Sequence, residues 1–157
     1  MARTYILGTS IPAAAAHRQR AIELCRAYPE VAAAAGIDVP RLYVRAIDAL
    51  FNSGDSERAG VVAEEAYRRF ADAPDPATAA VVRHCAAYFR TDDTASAGQL
   101  MVEALRLFEQ APPSFDHADA LLDYATIFLL YVERRPQASL AAPAGRWRSP
   151  RRPARRR

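Results

Sequence analysis

Residues 42–74 lie on residues 80–112 without a gap, and 13 of the 33 positions are identical. Alanine makes up 35 of the 157 residues, so matched alanines carry little weight. The matches that do carry weight are Phe51/Phe89, Asp55/Asp93, Gly60/Gly98, Glu65/Glu103, Phe70/Phe108 and Pro74/Pro112. A duplicated unit of 38 residues is too small to bury its own apolar face. It must stack against its neighbours, and that restricts the chain to a repeat architecture.

Each unit reads as two helices. Ala59, Val62, Ala63, Ala66 and Phe70 fall on one stripe at helical spacing, and Ala97, Leu100, Met101, Ala104 and Phe108 repeat it. Helix starts are marked by Asp38-Val39-Pro40, Asp55, Asp75-Pro76, Asp93 and Ser114-Phe115-Asp116. Aspartate accepts from the free amides of a first helical turn, and proline fits there without losing a bond. These signals predict six helices, over 12–28, 40–52, 56–72, 76–90, 94–110 and 117–133. No stretch alternates as a strand does. The expected fold is all-α, with about two full helix pairs and a half unit at each end. Ala59, Gly60 and Ala66 are expected to let the second helix of a pair lie close to the first.

Gly54-Asp55 at the inter-helix turn, with Ala59 and Ala66 seven apart on the second helix, resembles the tetratricopeptide repeat. Tyr43 stands where that family favours tryptophan, and Ile47 where it favours a small residue. Pro74 closes the unit late, and the period exceeds the family's usual length of about 34 residues. Ala21-Ile22-Glu23-Leu24-Cys25-Arg26 and Ala104-Leu105-Arg106-Leu107-Phe108 are similar to the repeats of large MalT-like, ATP-dependent regulators of the LuxR family. The resemblance implies an α-solenoid over residues 12–133 that receives a signal for transcription regulation. It also implies that the ATPase and helix-turn-helix modules of such a regulator lie elsewhere. The chain has no lysine and so no phosphate-loop lysine.

The resemblance further implies that the first helix of each pair lines a groove. It places Arg41, Arg45, Asp48 and Asn52 there from one unit, and Arg83, Ala86 and Arg90 from the next. Arg45 and Arg83 would then either meet a carboxylate or phosphate bidentately or simply belong to a solvated face rich in arginine. The groove's occupant would be a partner protein, a small effector or the regulator's own missing domains.

Charge divides the chain at residue 133. Residues 134–157 hold nine arginines and no acid, whereas residues 1–133 hold twelve arginines against eighteen acids. Residues 1–133 are expected to form the repeat domain. The rest reads as a disordered Arg/Pro-rich tail, because Pro143, Pro150 and Pro153 exclude a regular helix. Such a tail is either a basic arm that binds nucleic acid or out-of-frame translation of a GC-rich gene. An apolar helix over 117–133 with no partner after it suggests a fragment, and apolar ends left uncovered suggest self-association.

No catalytic residue, cofactor or metal is expected. His17, His84 and His117 have no ligand spacing. Cys25 and Cys85 sit at apolar helix positions and read as buried small hydrophobes. Leu7-Gly8-Thr9-Ser10 is too short for a phosphate loop. The first twelve residues lack a secretory core and no run could span a membrane, so a cytoplasmic location is expected.

Overall fold

The computed structural model of the chain describes residues 11–90 and 92–132. The basic tail and Leu7-Gly8-Thr9-Ser10 lie outside the described residues. The described residues form helices α1 (Ile11–Ala27), α2 (Pro29–Ala34), α3 (Val39–Asn52), α4 (Ser56–Phe70), α5 (Pro76–Phe89), α6 (Thr94–Phe108) and α7 (Phe115–Asp123). A π-helix, Tyr124–Val132, continues directly from α7. Among the described residues there is no strand, and no helix is long and apolar enough to cross a membrane.

The capping signals act as the sequence predicts. The carboxylates of Asp38, Asp55, Asp75 and Asp93 accept from the amides of Arg41, Arg58, Thr78 and Ser96 at 2.9–3.2 Å. Ser114 Oγ does the same for His117 at 3.2 Å. Each bond satisfies an amide that the first turn leaves without a partner. Asp75 is held below the usual carboxylate range, chiefly by the Thr78 hydroxyl and then by the Thr78 amide. Gly54 turns the chain between α3 and α4 with φ of +85°, a conformation that a Cβ would strain.

Two departures appear. Proline at position 29 ends α1 and opens α2, a short helix that the sequence signals did not separate. The predicted helix over 117–133 begins at Phe115 and widens into π winding after Asp123. It is also less enclosed than expected: Leu122 stays 54% exposed while Ala120, Ala125, Phe128 and Leu129 are buried.

The principal packing runs from each long helix to the next, α1 to α3, α3 to α4, α4 to α5 and α5 to α6, with a lighter contact from α6 to α7. The first helices of the pairs also touch in succession, α3 with α5 and α5 with α7. Small residues permit this closeness. Ala59, Ala63 and Ala66 of α4 and Ala80 and Ala86 of α5 are fully buried, and Ala97 and Ala104 of α6 are buried likewise. Gly60 serves a different contact from the one expected. It faces Phe89 of α5, where a Cβ would sit in ordinary contact at 3.5 Å, while Gly98 faces open space. Cys25 and Cys85 are both buried and unpaired.

Tyr43 ties three helices together. Its ring is fully buried and meets Phe70 edge-on at 5.5 Å. Its hydroxyl donates to Glu65 of α4 at 2.5 Å and accepts from Arg26 of α1 at 3.1 Å and Arg69 of α4 at 3.0 Å. Arg26 also pairs with Glu65. Burial, followed by the Glu65 contact, pushes the Tyr43 phenol up. Tyr43→Phe therefore leaves these charged groups short of a partner and should cost about 1–2 kcal/mol in urea unfolding. Asp55→Ala should cost about 1 kcal/mol, and Asp55→Asn, which keeps the cap, should cost far less. Equal losses for the two Asp55 variants would show that the cap is not what matters there.

Candidate functional site

A cleft of about 390 Å³ opens across α3, α5 and α7. Four of its positions on α3 recur on α5 at a spacing of 37: Val44/Val81, Ile47/His84, Asp48/Cys85 and Phe51/Tyr88. The sequence identities between the units run at 38. The starts of α3 and α5, at Val39 and Pro76, are also 37 apart, whereas those of α4 and α6 are 38 apart. One residue turns a helix by about 100°. The first helices of the two units therefore present the cleft one residue out of step with the sequence alignment.

Only some of the expected groove residues reach the cleft. Arg41 and Asp48 line it. Arg45 is exposed on α3, and its carbonyl accepts from Arg18 of α1 at 2.8 Å. Asn52 is exposed and donates to the Asp48 carbonyl at 2.7 Å. Arg83 donates to the carbonyls of Ala71 and Ala79 and pairs with Glu103 of α6 at 3.3 Å. It is engaged there and unavailable to clamp an anion together with Arg45. Arg90 grips Glu64 of α4 through two bonds, at 2.5 and 3.0 Å, and lies over the Tyr67 ring at 5.0 Å. Ala86 is fully buried.

The cleft is acidic. Asp48, Asp116, Asp119 and Asp123 line it against one arginine, Arg41, which is already paired with Asp116 at 2.6 Å. Asp116, Asp119 and Asp123 follow one another at spacings of three and four, so α7 presents them as one stripe. The sequence displayed this stripe, but nothing in it said that α7 would lie against α5. His84, 7% exposed, is a buried polar residue of the core, and its Nε2 lies 2.8 Å from Asp123 Oδ2. Ligand atoms of His84, Asp119 and Asp123 lie within 4.8 Å of one another, a grouping that could hold a metal ion. His17 is exposed, and His117 stacks on Phe108 at 5.2 Å.

Burial raises the Asp119 carboxyl above its ordinary range, and the charges of Asp123 and Asp116 add to this against the opposing effect of His84. Burial likewise raises Asp48. Its side chain keeps contact with water, but the cleft walls crowd it, and Arg41 only partly compensates. The Cys85 thiol is pushed up to about 12 by burial and by the four aspartates. It is a thiol at neutral pH and not a nucleophile. The aromatic side of the cleft is a T-shaped cluster: Phe51 meets Tyr88 at 5.5 Å and Phe89 at 5.9 Å. Phe115 stands at the rim, 81% exposed.

The chain matches no known protein family, no curated protein and no solved structure.

An acid with a raised pKa holds its proton more tightly in the folded state, so its contribution to stability falls as pH rises through that range. Asp48→Asn and Asp119→Asn should therefore raise the melting temperature at pH 7. The gain should vanish near pH 3, below the ordinary aspartate range of about 3.9, where the wild-type groups are protonated. A loss of stability at pH 7 in both variants would contradict this account of the cleft.

Proposed function

We propose that the chain is a non-catalytic interaction scaffold, a tetratricopeptide-like stack of antiparallel helix pairs that receives a partner protein or small effector in the α3/α5/α7 cleft. This is the role of the signal-receiving repeat segment in LuxR-family regulators, which the sequence resembles. One observation carries the reading: α3, α5 and α7 touch in succession, and the cleft opens across all three. A stack that packs mainly neighbour to neighbour exposes one continuous face, and repeat proteins bind along such faces. The cleft's charge disfavours phosphate and carboxylate ligands at this place.

A photoreactive benzoylphenylalanine at position 115, on the cleft rim, tests the reading in the cells that make the protein. The control position is Val102 of α6, which is 44% exposed and away from the cleft. A discrete light-dependent adduct at 115 and none at 102 is expected. The same products from both positions, or none from either, would count against a binding role for this face.

A further inference from the structure

We infer that the cleft accepts the guanidinium group of an arginine in an extended segment of a partner polypeptide. The inference rests on the scaffold reading above and names what the cleft takes. Its first ground is charge. Arg41 is paired with Asp116 and compensates Asp48 only in part, and His84 contacts Asp123, so the cleft keeps an excess of negative charge. Among the described residues, the carboxylates of Asp48 and Asp119 have no hydrogen bond or ion pair. They face the cleft from two helices, with buried His84 between α3 and α7 pointing into it. Unpaired carboxylates gathered in a recess repel one another, and an entering cation relieves that repulsion.

The second ground is the aromatic side. Phe51, 42% exposed, and Tyr88 stand beside Asp48, and Phe115 flanks Asp116 and Asp119. A cation over a ring face within about 6 Å is attracted by the ring's quadrupole. Arginine uses both features at once, because its planar group stacks on a ring while its fork bonds a carboxylate. The pairing of Arg90 with Glu64 over Tyr67 shows this combination elsewhere in the chain. A divalent ion on His84, Asp119 and Asp123 would occupy one end of the cleft and leave Asp48 and the rings unused.

The test is an NMR titration of the isotope-labelled full chain with the peptide acetyl-Gly-Arg-Gly-Arg-Gly-amide. Its counterpart carries citrulline, a neutral isostere, in place of each arginine. Saturable shifts confined to α3, α5 and α7 are expected with the arginine peptide. Affinity should fall about tenfold with the citrulline peptide, about tenfold in the chain carrying both Asp48→Asn and Asp119→Asn, and further with added salt. Because the citrulline comparison uses the wild-type chain, a misfolded variant cannot decide the outcome. Equal binding of the two peptides would overturn the guanidinium assignment and leave the scaffold reading standing. No shifts with excess arginine peptide, or shifts outside the cleft, would overturn the assignment too. The scaffold reading itself falls if the rim captures nothing, or nothing that the control position does not also capture.

Discussion

Everything in this chain depends on how closely α5 can be approached. It packs against α3, α4, α6 and α7, and it does so with Ala79, Ala80, Ala86 and Ala87 among its buried residues. A buried alanine removes little apolar surface from water, so each such contact contributes modestly. Its value is geometric: with no long side chain in the way, four helices can crowd around one. The larger buried side chains then fill what remains. Tyr43, Leu50, Val82, Met101 and Phe108 are the most enclosed, and they span both units of the repeat.

The same packing makes the cleft. Three first helices held side by side leave a recess, and the residues that face it follow from helix rotation. The acidic stripe of α7 meets α5 at His84, and the His84–Asp123 contact bridges the two helices. The arginines of the repeat are drawn into structure elsewhere. Arg26 and Arg69 serve Tyr43, Arg83 serves Glu103, and Arg90 serves Glu64. These basic residues therefore join helices through glutamates, while four aspartates gather where a ligand could reach them.

Much of the fold was legible because it is local. Aspartate caps, proline starts and apolar stripes act within one or two turns, and they place α3 to α6 within two residues of the observed bounds. The small positions Ala59, Ala66, Ala97 and Ala104 were legible for the same reason. The cleft was not. Which face of α5 meets it turns on a single residue of rotation: a shift of 37 carries Ile47 onto His84, whereas the sequence identities, at 38, carry it onto Cys85. Asp119 and Asp123 joined the site from a helix about 35 residues beyond His84, and no local signal specifies that meeting. The π winding after Asp123 left no mark that apolar periodicity could detect.

Native-state hydrogen exchange tests most directly whether α5 is the element around which the rest is built. Protection should be greatest in α5, intermediate in α3, α4 and α6, and least in α1, α2 and the far end of the π-helix, because stability falls away from the most densely contacted element. Amides of α5 that exchange as fast as those of α1, or uniform protection along the chain, would contradict the account.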